Sequence, residues 1–219
     1  MIDPILITGC ARSGTSLTAG IIEACGAFGG RTSGPNANNR KGMFENPKVR
    51  NDLVKPYLTA IGVDPMGQNP LPDPAHIPIP VNWADRVRGI FEADGYEDGP
   101  WYYKGAKMCL IWPVWHDAFP EAKWVIVRRS DEDIIKSCLR TGFMRAYQNA
   151  KGWQGWIDVH KRRFAEMQVE LQVKEFWPGD IFERNDLESI QGIVEWLGLQ
   201  WNEDKVRAFI DPKLWKGKK

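Results

Sequence analysis

The stretch 9-GCARSGTS-16 follows the apolar run 4-PILIT-8 and concentrates residue types that can bind an anion. Gly9, Gly14 and Ser16 stand in the register of a phosphate-binding loop, G-x-x-x-x-G-K-[ST], whose backbone N–H groups cradle phosphates. Such a loop lies between a strand and a helix, at the positive end of the helix dipole. The spacing therefore predicts a phosphate site close to the start of the chain.

The loop departs from that pattern at the position of its lysine. Thr15 stands where the lysine is expected, and Arg12 supplies a cation earlier in the loop. The backbone N–H groups of Ser13, Gly14, Thr15 and Ser16, with the hydroxyls of the last two, suit a phosphate. The alternative is a tight turn with a hydroxyl cap, but the strand–loop–helix context favours phosphate binding.

A second group of anion-binding residues follows the apolar run 123-KWVIVRR-129. This run ends in Arg128 and Arg129, whereas a magnesium-dependent phosphotransferase places an aspartate after such a strand. The arginines are expected in the crevice beyond the carboxyl end of the sheet, with Ser137 two helical turns beyond the helix cap Ser130. Two arginines and a hydroxyl suit a second phosphate, and a solvated arginine pair is the alternative.

Strands and helices alternate along the sequence, which predicts a single three-layer α/β domain over residues 1–219. Its central parallel sheet is flanked by helices and carries the P-loop-like turn. A proline-rich loop at about 64–80 is either a binding loop or a disordered insertion. Strands are expected at 4–8, 101–108 and 123–129, and helices at about 13–25, 47–61, 131–140, 154–172 and 186–197.

The composition limits the classes of partner. Hydrophobic residues make up 43% of the chain and charged residues 26%, as in a soluble globular protein, and the net charge of +1 argues against nucleic-acid binding. Four cysteines without paired spacing predict neither zinc nor a disulfide framework, and they favour a reducing compartment. No signal-peptide pattern or membrane-length apolar run is visible, so a cytoplasmic location without a membrane partner is expected.

The two anion-binding segments together resemble the signatures of the sulfotransferase superfamily. The first, 12-RSGTS-16, matches the family's [KR]-S-G-T-[ST], and the second, 129-RSDEDIIKS-137, has the family's spacing of arginine, aspartate and serine. The segment 41-KGMFENPKVRND-52 is similar to the G-Y-W-E segment of bacterial members. Weaker similarities are 103-YKGAKMCLIWPVW-115 to V-K-D-P-R-L and 182-FERNDLESIQGIVEWLGL-199 to Y-E-D-L.

The resemblance implies metal-independent, in-line transfer of a sulfuryl group from 3′-phosphoadenosine-5′-phosphosulfate to the hydroxyl of a small molecule or glycan. Residues 12–16 would hold the 5′-phosphate, with Arg12 beside the bridging oxygen, and Arg129 and Ser137 would bind the 3′-phosphate. Lys104 would add a positive charge near the sulfuryl group; an exposed lysine at a strand end is the alternative. The product would be 3′-phosphoadenosine-5′-phosphate.

Glu45 is the candidate general base for the acceptor hydroxyl, from its place in the segment similar to G-Y-W-E. The sequence departs from the family at Gly105 and Ala106, which replace Asp-Pro and remove the histidine of the eukaryotic cytosolic branch. The C-terminal R-K-G motif is only echoed by 216-KGKK-219. Two alternatives stay open: a P-loop kinase that uses Arg12 for its lysine, and a non-catalytic nucleotide- or glycan-binding relative.

Overall fold

The computed structural model describes residues 1–36 and 39–215, and a four-stranded parallel sheet runs through its centre. The strands lie in the order β2-β1-β3-β4, and every neighbouring pair is parallel. The strands are β1 (Ile5–Gly9), β2 (Tyr102–Lys104), β3 (Lys123–Val127) and β4 (Gln172–Phe176). The predicted α/β class and its central parallel sheet are confirmed.

The central strands are buried on both faces because their side chains alternate between two cores. Leu6 and Trp124 pack into one core, which helices between β1 and β4 complete, while Ile7 and Val125 pack into the other. All four side chains are fully shielded from solvent. This is why the runs 4–8 and 123–127 are apolar at consecutive positions, as strands buried on both sides are.

Nine α-helices within the described residues cover the two faces of the sheet. They are α1 (Thr15–Ala24), α2 (Lys55–Ala60), α3 (Trp83–Ala93), α4 (Trp112–Ala118), α5 (Asp131–Arg140), α6 (Ala150–Glu170), α7 (Gly179–Glu183), α8 (Glu188–Trp196) and α9 (Glu203–Phe209). A π-helical segment, Val49–Val54, leads directly into α2, and short 3₁₀ turns lie at Pro74–His76, Met108–Ile111 and Pro212–Leu214.

Helix α5 has the predicted boundaries, and its predicted cap is confirmed. The hydroxyl of Ser130 accepts a hydrogen bond from the N–H of Asp133 at 3.4 Å. Strand β4 was not predicted. Its sequence, QVKEF, is largely polar because it lies at the edge of the sheet, where only Phe176 is fully buried. The helix expected at 154–172 ends at Glu170, because β4 follows it, and it begins earlier than expected, at Ala150.

The strand order creates a switch point between β1 and β3. The chain leaves β1 towards β2 on one side and leaves β3 towards β4 on the other, while Gly9 and Val127 pair at the carboxyl ends of the two central strands. In open α/β sheets, ligands bind in the crevice outside such a switch point. The glycine-bearing loop after β1 and the arginines after β3 both begin there.

The proline-rich loop 64–80 is held in place by hydrogen bonds, which favours the binding-loop alternative. The carboxylate of Asp64 accepts a hydrogen bond from the N–H of Gln68 at 2.9 Å, so the loop folds on itself. The indole N–H of Trp156 donates to the carbonyl of Gly67 at 2.9 Å, which ties the loop to α6. Its residues Gly67 and Gln68 line the main cavity of the structure.

All four cysteines are free thiols buried in the fold. Within residues 1–36 and 39–215, no cluster of three or more histidine, cysteine, aspartate or glutamate side chains could hold a metal ion. No helix in these ranges is both long and apolar enough to cross a membrane.

Candidate functional site

The loop between β1 and α1 takes a tight path that its glycines allow. A Cβ atom on Gly9 would collide with the carbonyl oxygen of Val127 on the neighbouring strand. Gly14 precedes α1 with φ at 105°, a left-handed conformation that glycine adopts without steric cost. Arg12 also has a positive φ, 75°, which is uncommon for a residue with a side chain. Strained backbone of this kind concentrates at functional sites.

The start of α1 offers N–H groups to an anion. The first helical hydrogen bonds are donated by Leu17 and Thr18 to the carbonyl of Gly14. The N–H groups of Gly14, Thr15 and Ser16 precede them, at the end of a helix where N–H groups lack intrahelical partners and attract negative charge. These three residues line the main cavity.

Ser13 differs from its predicted role. Its N–H already donates to the carbonyl of Cys10 at 3.1 Å, which closes the turn. Its side chain is fully buried, and a Cβ atom on Gly9 would lie 2.8 Å from the Ser13 hydroxyl oxygen. Ser13 therefore supports the loop from its buried side, while the neighbouring residues Arg12 and Gly14 face the cavity.

The two sequence signatures meet through three side chains. Nε of Arg12 donates to the hydroxyl oxygen of Ser137 at 3.0 Å, although 125 positions separate the two residues. A terminal nitrogen of Arg129 donates to the backbone carbonyl of Arg12 at 3.0 Å, and Nε of Arg129 lies 3.6 Å from a carboxylate oxygen of Asp133. The loop after β1 and the segment after β3 thus form one continuous surface that carries two guanidinium groups and a hydroxyl.

Two further residues of this surface, Arg140 and Trp215, were not identified from the sequence. Burial lowers the pKa of Arg129, and the positive charges of Arg12 and Arg140 lower it further. The guanidinium groups of Arg12, Arg129 and Arg140 therefore lie within electrostatic reach of one another. Arg140 follows Ser137 by three positions, a helical spacing that could have indicated it. Trp215 places its ring 4.6 Å from the guanidinium carbon of Arg129 and stacks on Phe182, and it has no comparable sequence signal.

On the other side of the cavity, Glu45 and Lys104 form a buried ion pair. Nζ of Lys104 lies 3.4 Å from a carboxylate oxygen of Glu45, and a guanidinium nitrogen of Arg50 lies 3.8 Å from the same oxygen. Glu45 is 6% exposed and Lys104 is 4% exposed, so the interpretation of Lys104 as an exposed strand-end lysine is wrong. Burial alone would raise the pKa of Glu45, but Lys104, Lys107 and Arg50 together hold it below its ordinary value.

One cavity of about 840 Å³ joins the two groups. Its wall includes the side chains of Arg12, Arg129 and Ser137 at one end and those of Glu45 and Lys104 at the other. Apart from Ser13, whose side chain is fully buried, and Arg128, every residue predicted for the site lines this single space. The arrangement can hold an anionic ligand at the arginine end and present a carboxylate to its far end.

The prediction that Arg128 and Arg129 act as a pair is wrong. Arg128 forms an ion pair with Glu175 at 3.0 Å and lies over the ring of Phe164 at 5.1 Å, away from the cavity. Consecutive residues that leave a strand point in opposite directions, so only one of the two can face the crevice. The expectation for the motif 216-KGKK-219 lies outside the described residues.

Trp83 and Trp153 are buried in the core, while Trp156 is buried but borders the cavity. Trp153 packs edge-on against Tyr147, at a ring separation of 5.2 Å. The aromatic residue at the arginine end is instead Trp215, near the end of the described chain.

No protein-family model matches the chain, and neither does any curated protein sequence. Two solved mycobacterial structures have a similar fold. Sulfotransferase STF1 from Mycobacterium tuberculosis superposes with a TM-score of 0.54 at 14% identity, over 95% of this chain and 70% of that one. Sulfotransferase STF9 from Mycobacterium avium superposes with a TM-score of 0.51 at 11% identity, over 95% of this chain and 67% of that one. This chain has a sulfotransferase-like fold.

Proposed function

We propose that this protein is a sulfotransferase that moves a sulfuryl group from 3′-phosphoadenosine-5′-phosphosulfate to a hydroxyl acceptor. The observation that carries the proposal is the contact of Arg12 with Ser137, because it joins the phosphate loop after β1 to the second anion-binding segment after β3. A nucleotide that carries phosphate groups on both its 5′ and 3′ oxygens needs two such sites side by side.

The residues at the arginine end fit this donor. The N–H groups of Gly14, Thr15 and Ser16 suit the 5′-phosphate, and Arg129 with Ser137 suits the 3′-phosphate, since a charged donor and a hydroxyl form strong hydrogen bonds with phosphate oxygens. The donor supplies the activated sulfuryl group when it is bound. The similar fold of STF1 supports the same class of chemistry.

Arg12 is the residue that we assign to the leaving group. As the S–O bond breaks, negative charge develops on the departing phosphate oxygen, and a pre-positioned guanidinium stabilises it without reorganisation. Arg12 is held for this by its contact with Ser137 and by the bond that its carbonyl accepts from Arg129. A sulfuryl group carries less charge than a terminal phosphate, so this loop needs no lysine at the position of Thr15.

Glu45 is the residue that we assign as the general base. It is ionised at neutral pH because the surrounding cations lower its pKa, and it can therefore accept the proton of the acceptor hydroxyl. The same ion pair weakens it as a base, and its basicity would rise if Nζ of Lys104 turned from the carboxylate towards the sulfuryl oxygens of a bound donor.

The experiment that tests this function is a transfer assay. Purified protein is incubated with donor carrying ³⁵S in its sulfuryl group, EDTA and a panel of phenols, alcohols and sugars, and labelled products are separated. We expect at least one sulfated product from the wild type, and a loss of about 100-fold or more in the Arg12→Ala variant, since removal of one donor to a developing oxyanion has that effect. The assay contradicts the proposal if the wild type binds the donor but labels no acceptor.

A further inference from the structure

Three cations of the cavity wall are assigned no contact with the donor or the acceptor in the proposed reaction. They are Arg50, Lys55 and Lys107, which line the cavity. A guanidinium nitrogen of Arg50 lies 3.8 Å from a carboxylate oxygen of Glu45. Lys107 lies within electrostatic reach of Glu45, Lys55 and Arg50. With Lys104, three positive side chains therefore act on the carboxylate of Glu45, and Lys55 lies within electrostatic reach of one of them, Lys107.

This positive charge is more than is needed to neutralise the single negative charge of Glu45. Lys104 at 3.4 Å and Arg50 at 3.8 Å already accompany the carboxylate. Among the residues that the structure describes, the Nζ atoms of Lys55 and Lys107 have neither a hydrogen bond nor an ion pair. Burial lowers the pKa of Lys107, so its charge is held there at a cost in solvation. A partly buried, unpaired cation in a cavity suits an anionic ligand.

An apolar wall adjoins these lysines. A Cβ atom on Gly67 would lie 3.1 Å from Cγ of Lys107 and 3.2 Å from a methyl carbon of Leu110, so the stem of Lys107 packs into the wall of the proline-rich loop. Apolar side chains continue the wall: Met66, Leu110, Phe143, Met144 and Trp156. The end of the cavity that receives the acceptor is thus cationic on one side and apolar on the other.

We propose that the acceptor is an anionic hydroxyl compound, whose carboxylate, sulfate or phosphate group binds Lys55 and Lys107 and whose apolar body packs on the proline-rich loop. This inference rests on the proposed function for the identity of the reaction, but the binding site itself stands on the contacts above. Binding of the anion at the lysines would leave a hydroxyl of the same molecule free to approach Glu45.

A matched pair of fluorescent probes tests the site without knowledge of the natural acceptor. The probe 8-anilinonaphthalene-1-sulfonate carries one negative charge, and N-phenyl-1-naphthylamine has the same ring system without it. Each is titrated into protein saturated with 3′-phosphoadenosine-5′-phosphate, which fills the arginine end, and into free protein. We expect the sulfonate to bind about tenfold or more tightly than the neutral probe, as a charge-assisted contact would provide.

The variants Lys55→Gln and Lys107→Gln, singly and combined, identify the residues. The double variant should lose about tenfold or more of its affinity for the sulfonate and keep its affinity for the neutral probe within about twofold. The matched control is Lys151→Gln, an exposed lysine of α6 outside the cavity, which should change neither value. Thermal unfolding of every variant excludes a loss of fold.

The two proposals fail in different ways. Equal affinity for the two probes, or a sulfonate preference that survives in the double variant, overturns the anionic-acceptor site. Absence of any effect of the bisphosphate on unfolding, with the lysine-dependent preference intact in free protein, overturns the proposed donor instead and leaves this anion site standing.

Discussion

Nε of Arg12 and the hydroxyl oxygen of Ser137 lie 3.0 Å apart, so the loop after β1 and the helix after β3 share one hydrogen bond across the switch point of the sheet. Neither segment forms a complete site alone. The loop offers N–H groups at the start of α1, and helix α5 offers a hydroxyl beside the arginines. Together they form the site that we propose for a ligand with two anionic groups.

Replacement of Arg129 by glutamine should abolish recognition of a 3′-phosphate. In the wild type we expect 3′-phosphoadenosine-5′-phosphate to bind much more tightly than adenosine 5′-phosphate, which lacks that group. Arg129→Gln should reduce the difference by about 10- to 100-fold, as loss of a charge-assisted hydrogen bond does. Isothermal titration calorimetry with both nucleotides measures it. The adjacent Arg128→Gln is the matched control and should keep the preference, because Arg128 lies away from the cavity; a similar loss in both variants argues against the assignment.

Glu45→Gln should abolish turnover and also destabilise the fold. Loss of the general base should lower kcat by about 100-fold or more, with little change in bisphosphate affinity. Lys104 then remains buried without its carboxylate, which should lower the free energy of unfolding by about 3 kcal/mol. Urea unfolding of this variant and of Glu45→Gln/Lys104→Met separates the two effects: the double variant should recover most of the stability and none of the activity. Full activity in Glu45→Gln would remove Glu45 from the mechanism.

The Glu45–Lys104 pair should also make stability depend on pH. The cations lower the pKa of Glu45 in the folded state below its ordinary value of 4.5. The stabilisation is therefore fully present above about pH 4.5 and is lost as the pH falls through the lower, folded-state pKa. Urea unfolding is measured between pH 3 and 7, at pH values about one unit apart. As the pH falls, the free energy of unfolding should decrease more steeply for the wild type than for Glu45→Gln/Lys104→Met. Parallel curves for the two proteins would show that the pair does not contribute in this way.

Gly14→Ala should cost more than the same change at Gly26. Both glycines have φ at 105°, so alanine is strained at either position, by about 1 kcal/mol. A Cβ atom at Gly14 would lie 3.1 Å from Cγ of Pro178, whereas at Gly26 it meets nothing within 4 Å. Thermal unfolding should therefore show a larger loss for Gly14→Ala, and only that variant should bind the bisphosphate more weakly. Equal behaviour of the two variants would show that the packing around Gly14 is not critical.

The sequence predicts best those parts of the fold in which local pattern and tertiary position agree. Strand β3 is an uninterrupted apolar run because both of its faces are buried, and helix α5 carries its own cap in Ser130. Strand β4 was missed because its edge position allows a polar sequence that continues the pattern of α6. The sequence also could not show that Arg129 faces the cavity and Arg128 does not, because the two residues differ only in the direction of their side chains.

The site was predictable where a motif encodes the backbone and not where distant side chains converge. The P-loop-like motif identifies Gly14, Thr15 and Ser16 as lining residues, and the spacing from Arg129 in the sequence identifies Ser137. Trp215 reaches the site only because the chain returns after α9, and no local pattern indicates that path.

The most direct test of the central claim is the choice between two nucleotides. Calorimetric titrations in EDTA, and again with magnesium, compare 3′-phosphoadenosine-5′-phosphate with ATP. A cradle for one 5′-phosphate beside a 3′-phosphate site predicts tight binding of the bisphosphate in EDTA, and binding of ATP that is weaker by about 50-fold or more with or without magnesium. Binding of magnesium-ATP that equals or exceeds that of the bisphosphate would contradict the account and favour a phosphotransferase.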